Sequence, residues 1–376
     1  MNYKDMSNTL FGMWKHSQIN NKKPVSVVAL GPPGVGKTAC GRMLGDMMTE
    51  YVRNKNPDAS PAVVKVLDLS SMLPEDLMGL PFRDNDVTRY CPQSWMAALC
   101  QEGAYGVLIL DDLPAAASQV QVACRQVSLE RRIHEMKLAD GIFVMITGNR
   151  REDKSAASTL PAHFRNSVVL LPFQPDFEGW EAWYMDQGYD PEIPAFLRYK
   201  KEHFSRLPKD ADEAGAFATP RTWSLLGQLL PSVSDTVLPD IAAGLVGNGV
   251  AAEYAAFRMV KRELVSPERV LEDPKGALPD LSIMKGRPDR MIAVVTGLGE
   301  LVARTAKGPK AQQILTKYLE ALAYVTSKER EYVSVSISTF TACKGKMPEL
   351  LKAARDGSKN PAVTELIKNL AATLSS

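Results

Sequence analysis

The segment Gly31–Thr38, GPPGVGKT, constrains this chain more than any other, because it fits G-x-x-x-x-G-K-[ST] without a mismatch. It follows the apolar run Val25–Leu30 (VSVVAL) and precedes Ala39–Val52, whose pattern is helical. Strand, glycine-rich loop and helix in that order curl the backbone so that successive N–H groups point inward. The positive end of the helix stands behind them. Such a cradle takes phosphate. Gly31, Pro32, Pro33, Gly34, Val35, Gly36, Lys37 and Thr38 are therefore candidate nucleotide-binding residues. Lys37 supplies a point charge to the β- and γ-phosphates and Thr38 a hydroxyl ligand to the metal, so the implied ligands are ATP and Mg2+.

The runs Val63–Leu67 (VVKVL), Val107–Leu110 (VLIL), Phe143–Thr147 (FVMIT) and Ser167–Leu171 (SVVLL) are short, nearly all apolar, and bounded by Gly, Pro, Asp or Asn. Central parallel strands, buried on both faces, read this way. Helical stretches such as Gln119–Arg131 lie between them. The alternation predicts an α/β fold with a five-stranded parallel sheet covered on both faces. After Pro172 the strand signal stops, and residues 177–262 carry helical patterns broken by a polar loop, Ser205–Ala216. A Pro- and Gly-rich passage, Ser266–Arg290, reads as a linker or strap. Further on, Val363, Leu366, Ile367, Leu370 and Leu374 share one helix face, as core or as a subunit contact. The 376 residues suffice for two or three domains. The expected division is an α/β core at 1–175, a helical second domain at 176–265 and a helical C-terminal extension at 266–376.

VLILDD, Val107–Asp112, places Asp111 at the C-terminal end of a buried strand, beside the phosphate loop, where it can hold Mg2+ through water. Asp112 is then the candidate for the carboxylate that orients or deprotonates an attacking water, or else a cap for the next helix. The run Phe143–Thr147 continues into Gly148 and Asn149, a polar tip that by itself also suits a turn.

The ordered set GPPGVGKT, SMLPEDLMGLP (Ser71–Pro81), LILDDLPAA (Leu108–Ala116), ITGNR (Ile146–Arg150), LPAHFRNS (Leu160–Ser167) and TPRTW (Thr219–Trp223) resembles the MoxR-like and dynein-related branch of AAA+ ATPases, over about residues 20–265. The resemblance implies a P-loop core with a helical lid, assembled as a ring, usually a hexamer, with ATP held between neighbouring subunits. It implies that the fourth strand lies between the strands of the loop and of Asp111, which makes Asn149 the sensor 1 residue that helps place the water. It makes Arg221, after Pro220, the sensor 2 residue of the lid. Two positions depart from the pattern. Where relatives most often carry Glu, this chain has Asp112, one methylene shorter. Where relatives end a segment in Asn-Arg-Phe, here Asn166 is followed by Ser167 and Val168. Arg165 is the nearest substitute for the arginine finger, with Arg150 and Arg151 as alternatives. Relatives also carry an insert facing the ring's opening, and Asp76–Trp95 occupies that position. It reads as a loop without periodicity, holding Phe82, Arg83, Arg89, Tyr90 and Trp95, which suit a peptide or single-stranded nucleic acid, or equally an ordinary packed loop.

The leading expectation is a ring ATPase that remodels a protein partner, with a von Willebrand factor A domain protein as the client the resemblance implies. One alternative is a DNA-associated motor or helicase loader, against which stands a net charge of only +2. Another is a nucleotide-gated assembly switch with little hydrolysis, motivated by Asp112 and Ser167. The five cysteines show no CxxC pair and read as buried thiols in a reducing cytosol. His16, His134, His163 and His203 have no evident acid or nucleophile partner in the sequence. With no leader-like pattern in its first residues and no membrane-length apolar run, the chain is expected to be cytoplasmic.

Overall fold

The computed structural model describes residues 1–150, 160, 162–208, 215–263, 266–273, 276, 288–325, 330–342, 345–356, 361, 363, 364 and 366. The chain forms two compact units, Met1–Gly179 with Leu207–Ala214, and Trp180–Arg206 with Gly215–Ser376.

In the first unit α1 (Tyr3–Ile19), capped by the Asn2 side chain, leads into β1 (Val27–Leu30) and α2 (Lys37–Arg53). Then come β2 (Val63–Asp68), α3 (Pro74–Met78), β3 (Leu80–Asp84), β4 (Val87–Cys91), α4 (Ser94–Cys100), β5 (Tyr105–Asp111) and α5 (Ser118–Arg125). The series ends with β6 (Arg132–Ile133), β7 (Met136–Lys137), β8 (Gly141–Gly148), α6 (Ala162–Arg165) and β9 (Val169–Pro172). Five strands pair in the order β2-β5-β8-β1-β9, every neighbour parallel. Each coincides with one of the apolar runs. The fourth strand of the sheet in chain order, β8, does lie between β5 and β1. The fold is therefore an α/β fold built on a five-stranded parallel sheet, the architecture of P-loop nucleotide-binding cores.

Alternation along the central strands serves two cores. Val27, Ala29, Val107, Ile109, Phe143 and Met145 pack with Met6, Leu10, Trp14, Cys40, Leu44 and Met48. Val28, Leu108, Leu110, Val144 and Ile146 pack with Leu99, Val120, Cys124 and Val127 on the other side. Burying both faces is what makes these runs continuously apolar, each large side chain contributing about 1.5–3 kcal/mol. The edge strands β2 and β9 correct the expectation of five buried strands, because both are only partly buried.

Two further expectations change. The helix foreseen over Gln119–Arg131 is α-helical only to Arg125, continues as one π turn over Gln126–Glu130, and stops at Arg131 with φ +55°. Within that turn the Ser128 hydroxyl donates to the carbonyls of Cys124 and Arg125 at 2.9 and 3.2 Å. Asp76–Trp95 is not a loop throughout. It completes α3, forms the antiparallel hairpin β3–β4 about Asn85 (φ +54°) and Asp86, and begins α4. No residue of the hairpin is buried, so nothing imposes a two-residue alternation on its sequence.

The second unit contains α7 (Phe177–Asp186, starting at the boundary), α8 (Glu192–Tyr199), α9 (Pro220–Leu229), α10 (Leu238–Val246), α11 (Asn248–Glu263) and α12 (Pro267–Glu272). Helices Pro288–Thr305, Ala311–Val325, Arg330–Ala342 and Met347–Asp356 follow. Phe196 sits amid Trp223, Tyr254 and Phe257 at ring distances of 5.7, 5.3 and 5.6 Å. Arg198 of α8 donates to Glu181 at 2.7 Å, to the Val335 carbonyl at 2.7 Å, to Ser338 at 2.7 Å and to Thr339 at 2.9 Å. A second apolar cluster joins Leu298, Val302, Leu319, Leu322 and Phe340. Val363 and Leu366 of the C-terminal stripe are buried in it, while Ile367, Leu370 and Leu374 lie outside the described residues. The passage read as a linker contains α12, capped by Ser266, and leads into the next long helix at Pro288. Among the described residues no helix is long and apolar enough to cross a membrane.

Candidate functional site

The loop Gly31–Gly36 leaves the C-terminal end of β1 and delivers Lys37 and Thr38 into the first turn of α2. Gly36 has φ +95°, a left-handed conformation that a residue with a side chain resists. The loop is held from its flanks. The Gly31 amide donates to the Gly148 carbonyl at 3.2 Å, and the Phe173 amide donates to the Leu30 carbonyl at 2.7 Å. A Cβ on Gly36 would stand 3.7 Å from the ring of Tyr3.

Lys37 is only 9% exposed. Its Nζ donates to the carbonyls of Gly31 and Pro32 at 2.9 and 2.7 Å and to Asn149 Oδ1 at 2.8 Å. Those neutral oxygens hold the ammonium over the loop it serves. Thr38 Oγ1 donates to Asp111 Oδ2 at 2.8 Å. The other carboxylate oxygen of Asp111 accepts from the hydroxyl of Thr147. Asp112 has φ +59°, again left-handed, which turns the chain sharply off β5 into the short turn Leu113–Ala115. Its amide donates to Thr147 Oγ1 at 3.4 Å, and its Oδ1 accepts from Asn149 Nδ2 at 3.4 Å.

The three adjacent strand ends β1, β8 and β5 thus gather Lys37, Thr38, Asp111, Asp112 and Asn149 into one hydrogen-bonded group. Thr38 and Asp111 present an oxygen-only pair, the donor type a hard divalent cation prefers, so the residues fit Mg2+. The glycine-bearing loop at the N-terminus of α2 and the buried Lys37 fit a polyphosphate.

Gly148 makes this convergence possible. Its Cα packs so closely on the turn after Asp112 that a Cβ there would meet the Pro114 ring. Thr147, between Asp111 and the Asp112 amide, carried no role in the sequence reading. Its signal was only positional, two residues before Asn149, and its meaning needs the strand order.

Arg165 is the exposed last residue of α6, and Asn166 and Ser167 after it are exposed as well. Arg150 follows β8 and is half-buried, while Arg151 lies outside the described residues. Arg221 belongs to the second unit, exposed in the first turn of α9, whose N-terminus is capped by Thr219.

The hairpin β3–β4 exposes Leu80, Phe82, Val87 and Tyr90. Tyr90 stacks on His134, the rings 3.7 Å apart and 12° from parallel, and an ion pair joins Arg89 to Asp84 at 2.9 Å. His134 therefore has an aromatic partner that the sequence did not disclose. The expectation of buried thiols holds for Cys40 and Cys124. It fails for Cys91, which is exposed, and for Cys100, which is half-buried; Cys343 lies outside the described residues. Burial pushes the Cys40 thiol up to about 11 and the Cys124 thiol up to about 12. Among the described residues no cluster of His, Cys, Asp and Glu forms a metal site.

No family model matches the chain, and no curated protein matches it. Solved structures do. A point mutant of RuvB from Thermotoga maritima is 13% identical, covering 93% of this chain and 87% of its own, at a TM-score of 0.37. PCH-2 from C. elegans is 15% identical over 69% of each chain, with a TM-score of 0.37. A putative ATPase from Cytophaga hutchinsonii is 12% identical, covering 65% of this chain and 81% of its own, with a TM-score of 0.30. Likeness this loose bears on neither substrate nor assembly.

Proposed function

We propose that this chain is an ATPase that binds ATP with Mg2+ at Gly31–Thr38 and Asp111 and couples hydrolysis, as a ring, to remodelling a protein partner. The observation that carries the nucleotide reading is the single hydrogen-bonded group of Lys37, Thr38, Asp111, Asp112 and Asn149 at three neighbouring strand ends. Thr38 and Asp111 would hold Mg2+, which supplies charge neutralisation to the phosphates. Lys37 exchanges its Asn149 contact for phosphate oxygen. Asn149, released from Lys37, orients a water with its amide, and Asp112 takes that water's proton. Residues 176–265 would act as the lid, with Arg221 reaching the phosphates, and 266–376 as a brace or docking module. Arg165, exposed on the first unit, is the candidate to act on a neighbouring subunit's nucleotide. The exposed apolar and cationic residues of the β3–β4 hairpin are the surface offered to the client, for which a von Willebrand factor A domain protein is the candidate. The setting proposed is cytoplasmic and the ring a hexamer.

A second reading, an assembly switch that binds ATP and scarcely hydrolyses it, draws on Asp112. Its short side chain leaves a left-handed backbone and is held against Asn149. Steady-state ATP turnover across a wide range of protein concentration, with Lys37→Ala as the blank, separates the two. Specific activity that climbs with concentration and vanishes in the variant supports a site completed between subunits. ATP binding with near-zero turnover at every concentration supports the switch, and absence of ATP binding overturns both.

A further inference from the structure

The tip of β8 holds a polar side chain that the proposed reaction does not use. Thr147 is fully buried, and β8 pairs with β5 through Leu110 opposite Ile146, so the next step along both strands sets Asp111 beside Thr147. The single hydroxyl proton goes to Asp111 Oδ1, while the hydroxyl oxygen accepts the Asp112 amide at 3.4 Å. One side chain therefore touches both consecutive acidic residues, one through its carboxylate and the other through its backbone. Asp111 keeps its second oxygen for Thr38, at 2.8 Å. Without the Thr147 hydroxyl, that carboxylate keeps its Thr38 contact but loses the one that fixes its other oxygen, and the Asp112 amide, at φ +59°, loses this acceptor.

We propose that Thr147 is a positioning residue for the cation: it fixes the rotamer of Asp111 so that Oδ2 and the Thr38 hydroxyl form the cation pair, and it anchors the bend that presents Asp112. This rests on the nucleotide reading above and adds to it the residue that sets the site's metal requirement. Groups that hydrogen-bond a metal-binding carboxylate from behind affect metal affinity by about 10–100-fold. A purely structural threonine would act through its methyl group and its volume instead.

The test compares Thr147→Val, which keeps the shape and loses the hydroxyl, with Thr147→Ser, which keeps the hydroxyl and loses the methyl, and with Thr147→Ala, which loses both. Binding of a fluorescent non-hydrolysable ATP analogue to the full chain is followed by Mg2+ titration and again in EDTA. Thermal midpoints confirm folding. Val and Ala are expected to raise the Mg2+ concentration for half-saturation about 10-fold or more, with metal-free affinity unchanged and Ser near wild type. If the variants sort by methyl group, with Val like wild type and Ser like Ala, the proposal is overturned while the nucleotide reading stands. If Val does not fold, the Ser and Ala arms decide by the same criterion. An analogue that fails to bind wild type at any Mg2+ concentration removes the nucleotide reading and this inference with it.

Discussion

Replacing Gly148 by Ala tests whether the convergence of strand tips is what makes the site. The new Cβ would stand 2.5 Å from Pro114 Cγ, about 1 Å short of a comfortable carbon–carbon separation. Pro114 is buried, so the clash cannot be relieved by turning its ring into solvent. The relief is a shift of roughly 1 Å between the β8 tip and the turn that follows Asp112. The contact between Asn149 and Asp112 is already 3.4 Å and does not survive that shift. Overpacking of this kind costs about 1–3 kcal/mol, or roughly 3–9 °C in the midpoint of a unit this size. A 1 Å misplacement costs about 100-fold in rate. Lys37 and Thr38 stand in the first turn of α2, and Lys37 keeps its contacts with the Gly31 and Pro32 carbonyls when the Asn149 contact shifts, so ATP affinity should fall less than turnover. Thermal unfolding, analogue binding and single-turnover hydrolysis on one preparation give the three readings. Turnover unchanged in a variant destabilised as expected would refute the idea that Gly148 sets the Asp112–Asn149 geometry. Unchanged stability as well would refute the close packing itself.

Other expectations test the two units separately. In the second unit, Arg198→Met strands the Glu181 carboxylate in a buried pair and should cost about 3–5 kcal/mol in urea unfolding. Native alkylation followed by mass spectrometry should label exposed Cys91 well before Cys40 and Cys124, which react only on unfolding. Because burial raises the folded pKa of Cys40 from 9.0 to about 11, its contribution to stability is whole below pH 9 and is lost as pH climbs toward 11. Urea midpoints on either side of that window should show the first unit weakening at the alkaline end. Phe82→Ser on the exposed hairpin should shift stability by no more than about 0.5 kcal/mol and leave ATP binding intact. A loss of binding there would mean that the hairpin supports the nucleotide site.

Where burial or local backbone geometry dictates residue type, the sequence alone was enough. The loop could be read because its glycines, Lys37 and Thr38 act within one short stretch of chain. The sheet could be read because strands covered on both faces must be apolar throughout, as Val107–Leu110 and Phe143–Thr147 are. Partly buried β2 and β9 were found by the same runs, but their edge positions were not. The β3–β4 hairpin left no trace, since a ribbon exposed on both faces carries no alternation. Likewise the π turn before Arg131 carries apolar residues at a spacing that helical periodicity does not tell from an α-helix. Only the tertiary structure could join Asn149 to both Lys37 and Asp112, or Thr147 to Asp111. Those pairs lie 112, 37 and 36 residues apart in the chain, and strand order alone brings them within hydrogen-bond reach.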